Sequence, residues 1–216
     1  NILPKRELIN QSDKIGLNEF AKNLKKKKVE IISTGGTAKH LNKNNIDVTT
    51  VSSITKFPEI LDGRVKTLHP NIHAGILANL DLTLHNETLN KFNIKNIDLI
   101  AVNLYPFEEV KKKSTIEEKI IENIDIGGPT LIRAAAKNYK FKIVIVDNND
   151  FSIVLDEMSN SKGVSLETRK YLATKAFLYI SNYDNMIAKW FLEENETSNY
   201  PKYFPLSANL KYQLKY

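Results

Sequence analysis

Short β-branched runs alternate along this chain with stretches whose apolar residues recur at helical spacing, and that alternation restricts the fold more than any other feature. Glu7–Asn10 reads as a weak first strand, Val29–Ser33 (VEIIS) as a buried one and Val48–Val51 as a short one. Ile97–Leu104 (IDLIAVNL) and Lys142–Val146 (KIVIV) read as two more. Between them, Gly16–Lys26 carries Leu17, Phe20, Ala21 and Leu24 on one helix face. A helix runs through Ala38 and Leu41, and Thr115–Asn123 is helical, with Ser114 and Glu117 at capping-box spacing. Thr130–Lys137 is an alanine-rich helix, and Ser165–Leu192 is a long helical stretch with its start marked by Ser165, Glu167 and Thr168. Ser52–Pro70 shows neither period and reads as irregular. Strand–helix alternation predicts an α/β fold: a parallel sheet with helices on both faces, the C-terminal helices packed on one side. Ligands in such sheets bind beyond the carboxyl ends of the strands, so the loops that follow strands are the place to look for chemistry.

Composition narrows the function. The chain has 216 residues, which suits one domain of ordinary to large size or one with an appendage, and 42% of them are hydrophobic, enough for a sizeable core. Having no cysteine, it forms no disulfide, thiolate metal site or cysteine nucleophile. Its most apolar stretch, Ile97–Phe107, is interrupted by Asp98 and Asn103 and falls short of the roughly 18 to 20 residues of a membrane span. No basic segment leads into an apolar one at the start, so no signal peptide is visible and a soluble cytoplasmic protein is expected. The formal charge of +6 suits small anions as well as nucleic acid. It is not gathered into one arm: Lys25–Lys28 and Lys111–Lys113 fall at helix ends or loops, and nucleic acid is not the expected partner. His69 and His73 are separated by Pro70 with no glutamate in the position a zinc protease needs, so no metal site is expected. His40 and His85 read as structural or solvated. Beyond Glu196, the aromatic and proline-rich Asn199–Pro205 reads as a linker or arm, which divides the chain into a domain at 1–196 and a linker at 197–216.

Five segments can carry chemistry. Ser12-Asp13-Lys14 places a hydroxyl, a lysine and backbone N–H groups at a helix start, which suits a phosphate or, more plainly, an N-cap with a solvated lysine. Ser33-Thr34-Gly35-Gly36-Thr37 lies between strand and helix, where two glycines let backbone approach a ligand and the helix dipole favours an anion. In Gly63–Pro70, Arg64 and Lys66 alternate in a segment read as extended, so both face one side; Arg offers a fork and Lys a mobile charge for phosphate. Asn103-Leu104-Tyr105 ends a strand with groups that suit an amide-bearing heterocycle, or with an aromatic packed inward. In Asp125-Ile126-Gly127-Gly128-Pro129-Thr130, followed by Arg133 and Lys137, Asp125 can act as a base and Lys137 as an acid or charge stabiliser; a capped helix with solvated ends is the plain alternative.

Taken in order, these segments together with Phe57–Leu61, Arg133–Asn138 (RAAAKN), Ser165–Arg169 and Lys175–Phe177 resemble the successive motifs of the IMP cyclohydrolase family over roughly residues 7 to 190. The resemblance implies a methylglyoxal-synthase-like parallel sheet flanked by helices. It implies closure of 5-formamidoimidazole-4-carboxamide ribotide (FAICAR) to IMP with loss of water, no metal or organic cofactor, and a homodimer. By position it implies that Ser12, Lys14, Thr34, Gly35, Gly36, Thr37, Arg64 and Thr67 hold the ribose phosphate. Lys66 lies near the reacting end; Asn103, Tyr105, Asp125, Ile126 and Gly127 face the base; Asp125 deprotonates the amide and Lys137 relays a proton to the departing oxygen.

Some residues depart from that pattern: Ile15 stands where the family usually has Thr, Asn10 where serine is common, and Tyr139 where His is frequent. In the bifunctional members a folate-dependent transformylase follows, and Leu214-Lys215-Tyr216 resembles the start of that junction, so a piece of a longer protein without formyl-transfer chemistry is expected. Asp125 and Lys137 are twelve positions apart. An unbroken helix would separate them by roughly 18 Å, so a shared site needs a break, which Gly127-Gly128 allows, or a second subunit. The rival readings are methylglyoxal synthase or a related allosteric phosphate-binding module, a nucleic-acid binder, and a non-catalytic interaction domain.

Overall fold

A computed structural model describes residues 1–160, 162–194 and 202–206. Its centre is a five-stranded, wholly parallel sheet in the order β3-β2-β1-β4-β5, formed by β1 (Arg6–Gln11), β2 (Glu30–Ser33), β3 (Thr49–Thr50), β4 (Leu99–Asn103) and β5 (Ile143–Ile145). The β-branched and leucine side chains of β1, β2, β4 and β5 are buried, as expected for strands covered on both faces. The segment read as a weak strand is the middle of the sheet, with Leu8 registered against Ile32 on one side and Ile100 on the other. Its charged residues disguised it. Arg6 is buried because its guanidinium meets Glu30 at 2.8 Å, and Glu7 is buried with no such partner.

The helices follow the expected order with shifted boundaries. α1 (Leu17–Lys26) buries Leu17, Phe20, Ala21 and Leu24, and Phe20 stacks on Phe151 at 4.0 Å. α2 (Gly35–Lys43) begins at Gly35 itself, with Thr34 as its N-cap. Val51 is not a strand residue: it opens the short α3 (Val51–Thr55), whose start is capped by Thr50. The stretch expected to be irregular thus holds a helix, a 3-10 turn at Leu61–Gly63, and the first residue of α4 (Pro70–Leu77). α4 starts at a proline, where the missing N–H costs nothing. α5 (Thr83–Lys91) and α9 (Phe151–Asn160) complete the elements that sequence periodicity left unassigned in this part of the chain.

α8 (Gly127–Lys137) starts three residues earlier than Thr130, and its helix is unbroken through Gly127-Gly128. The C-terminal stretch is one helix, α10 (Leu166–Glu194), whose first turn is capped by the Ser165 hydroxyl accepting from Thr168 N–H at 3.1 Å.

The chain divides into two compact units, Asn1–Tyr105 with Asp125–Phe177, and Pro106–Ile124 with the chain from Leu178 onward. The first unit holds the sheet. The second holds α6 (Phe107–Lys113) and α7 (Glu117–Glu122) with the later turns of α10, where Phe107 packs edge-on to Tyr183 and Trp190. Ser114 ends α6 instead of capping the next helix, and its hydroxyl accepts from Ile116 N–H at 3.2 Å, so the expected capping box is not formed. Both lysine runs lie at helix ends, Lys25 and Lys26 in the last turn of α1 and Lys111–Lys113 in that of α6. Within 197–216, only 202–206 lie among the described residues, and they are non-helical.

Candidate functional site

The sheet order reverses direction between β1 and β4, and in open parallel sheets that is where a crevice opens beyond the strand ends. The loops after β1 and β4 meet there. Asn103, the last residue of β4, accepts from Ser12 N–H at 2.6 Å and Asp13 N–H at 3.0 Å through its oxygen, and donates to the Asp13 carbonyl at 3.0 Å. Through these bonds Asn103 ties the loop after β1 to the end of β4. Lys14 folds back so that its ammonium donates to the Ser12 carbonyl at 3.2 Å. Ile15 is 78% exposed beside them.

Asn148, in the turn after β5, was not singled out by the sequence. Its amide donates to the carbonyls of Ile15 at 2.9 Å and Asp13 at 3.3 Å, and its oxygen accepts from Asn103 at 3.4 Å. The signal was present, because 147–150 is a loop at a carboxyl strand end like the others.

A second group gathers at the start of α2. No side chain caps this helix, and the Thr34 hydroxyl donates to Glu59. Gly35 sits at φ +53°, a conformation L side chains rarely adopt, and a Cβ there would lie 3.2 Å from the Lys66 ammonium. Open space lies where a Cβ on Gly36 would project. Lys66 pairs with Glu59 at 3.7 Å and acts electrostatically on Asp125.

Asp125 precedes α8 and accepts from Gly128 N–H at 2.8 Å. Burial raises its pKa above the usual carboxylate value, against the lowering influence of the Gly128 and Gly127 N–H groups and of Lys66. A side chain at Gly128 would strike Leu104 at 2.5 Å and Asp125 at 2.7 Å, and one at Gly127 would press on the Thr67 hydroxyl at 3.1 Å. The structure therefore brings Thr34, Gly35, Lys66, Thr67, Asp125 and Gly127 together.

Four expectations change. Thr37 is buried, and its hydroxyl both accepts from Gln11 N–H and donates to the Gln11 carbonyl at 3.0 Å, so it pins α2 to β1 and is not open to a ligand. Arg64 has helical backbone angles just past the 3-10 turn, so Arg64 and Lys66 do not alternate along an extended strand; its side chain is exposed. Tyr105 is 56% exposed, so the strand end does not carry an aromatic packed inward; Ile126 is likewise exposed.

The fourth is Lys137. The unbroken α8 puts it about 15 Å along the helix axis from Gly127, at the end remote from Asp125. Lys137 instead lines an open groove of about 740 Å³ with Leu68, His69, Pro70, His73, Leu77, Thr130, Arg133, Ala134 and Phe177. The Arg133 guanidinium lies over the Phe177 ring at 6.0 Å. His69 caps α4 by accepting from Asn71 N–H at 3.1 Å.

A doubly wound parallel sheet flanked by helices defines the class, and a family model agrees: that of the MGS-like domain matches residues 16–130. This chain belongs to the MGS-like domain family. A second model, the AICARFT/IMPCHase bienzyme, matches residues 135–216. The bifunctional purine biosynthesis protein PurH of Caldicellulosiruptor bescii is 53% identical over 98% of this chain and 42% of its own length. PurH of Acetivibrio thermocellus is 48% identical over 98% of this chain and 41% of its own. The chain thus spans well under half the length of these relatives. A crystal structure of ForH superimposes with a TM-score of 0.78 at 28% identity, covering 87% of this chain and 99% of that one.

Proposed function

We propose that this chain is an IMP cyclohydrolase, closing the purine ring of FAICAR. The carboxamide nitrogen attacks the formyl carbon, one new C–N bond forms, and the formyl oxygen leaves as water. The observation that carries the reading is the half-buried carboxyl of Asp125, raised in pKa and within electrostatic reach of Lys66, beside the uncapped start of α2. An amide nitrogen is a poor nucleophile, and a carboxylate raised toward neutrality takes its proton more readily than an ordinary one. In this reading Asp125 is the base and Lys66 supplies the positive charge and proton for the departing oxygen. Thr34, Gly35, Gly36 and Thr67 hold the phosphate, with Ser12 and Lys14 across the crevice; Asn103 and Thr37 keep the loops in place. Orientation by these fixed groups contributes as much as proton transfer.

The reading extends to a homodimer. If Lys137 serves the reaction it does so in a second copy, and its groove carries the part-exposed side chains Leu68, Leu77 and Phe177, which a partner would cover.

IMP formation from FAICAR, followed by absorbance, tests the function. Lys66→Ala and Asp125→Asn should each lower kcat by about 10²- to 10⁴-fold in a folded protein. Turnover retained in both would remove the assignment.

A further inference from the structure

One group beside the candidate phosphate position carries the same sign as the ligand. Glu59 directs one carboxylate oxygen to the Thr34 hydroxyl and the other to the Lys66 ammonium, 3.7 Å away. Thr34, the N-cap of α2, is one of the donors of the proposed phosphate site, and Lys66, on the loop before α4, is the cation beside it. Both partners lie over bare backbone: a Cβ on Gly63 would meet Lys66 Cε at 2.6 Å and approach Glu59 at 3.9 Å, and one on Gly35 would meet the Lys66 ammonium at 3.2 Å. Lys66 thus lies against the helix start, open space remains where a Cβ on Gly36 would project, and a carboxylate of the chain itself bonds to the N-cap hydroxyl there.

Glu59 is placed to leave. It stands on the segment between α3 and the 3-10 turn, anchored by the bridge between Ile60 and Val65 and not by the sheet. Its side chain is 39% exposed, and an ion pair so open to water is weak.

We propose that Glu59 is an internal occupant of the phosphate subsite, displaced by the substrate's phosphate, and that this competition selects dianionic ligands. A phosphate dianion offers more charge and more acceptor oxygens to Thr34, Lys66 and the N–H groups of α2 than a carboxylate does. An uncharged ligand gains nothing over Glu59, and a singly charged one gains little. Glu59 is thus a specificity-determining residue that works by opposing the wrong ligand, a recognised route to discrimination. The inference rests on the phosphate site proposed above.

Calorimetric titration of the chain with inorganic phosphate, IMP and inosine separates the two ideas, using wild type, Glu59→Gln and Lys66→Ala. Removing the competing charge should tighten phosphate and IMP by about three- to tenfold and leave inosine unchanged. Lys66→Ala should weaken both phosphate-bearing ligands. If Glu59→Gln binds them equally or more weakly while Lys66→Ala still weakens them, Glu59 only orients the lysine and the inference fails, with the site intact. If phosphate and IMP bind no better to wild type than to Lys66→Ala, the phosphate site itself is wrong.

Discussion

Glu7 lies on the central strand, fully buried, and neither carboxyl oxygen has a hydrogen-bond partner among the described residues. Burial raises its pKa well above the ordinary value of 4.5, because a charged carboxylate loses its hydration there and gains nothing in return. An acid whose folded pKa is raised holds its proton more tightly in the native state. Its contribution to stability is therefore complete below the unfolded value of 4.5 and is lost as pH rises through the folded value. Glu7→Gln should remove that slope and stabilise the protein at pH 8 by about 1 to 3 kcal/mol. Urea unfolding across the pH range checks it; parallel curves for wild type and variant would show that Glu7 is paired or hydrated in solution. The sequence could not foresee this burial, since a glutamate reads as surface until its strand is known to be central. Glu59 was legible as part of a motif and illegible as a ligand of Lys66 and Thr34, because its role depends on where the loop folds.

At the scale of elements, the carboxyl-end loops do the positioning. The loops after β1, β4 and β5 are tied through Asn103 and Asn148, which together bond to Ser12, Asp13 and Ile15. Lys175 of α10 reinforces the same turn by pairing with Asp147 at 2.6 Å and Asp150 at 2.7 Å. Asn148→Ala should loosen the Ser12–Ile15 loop and raise KM by about threefold to tenfold with kcat little changed, a loss of positioning and not of chemistry. Steady-state kinetics decides: a fall in kcat at constant KM would place Asn148 in the reacting geometry. Helix boundaries were less legible than helix existence. α8 was expected from Thr130, yet the helix takes in Gly127 and Gly128, whose small size lets Leu104 and Asp125 pack against its first turn. The poor helix propensity of glycine argued for a break, and close packing overrode it.

For the molecule as a whole, the placement of Lys137 at the end of α8 remote from Asp125 has a direct consequence. If in the proposed homodimer Lys137 serves the other copy's site alongside that site's own Lys66, then Asp125→Asn and Lys137→Ala, each impaired alone, should recover turnover when mixed and allowed to exchange subunits. No recovery from a mixture shown to form heterodimers would confine the site to one chain and leave Lys66 as its acid. What the sequence determined alone was local: five strands, half of the α-helices, the parallel class and the glycine-rich turns, because residue spacing and turn chemistry act over a few positions. Only the tertiary structure decided that β1 is central, that Asn103 closes on Ser12 across 91 positions, that Glu59 meets Lys66 and Thr34, and that Lys137 stands apart. Those outcomes depend on which distant segments pair and pack, a competition among long-range contacts that no short window of sequence contains.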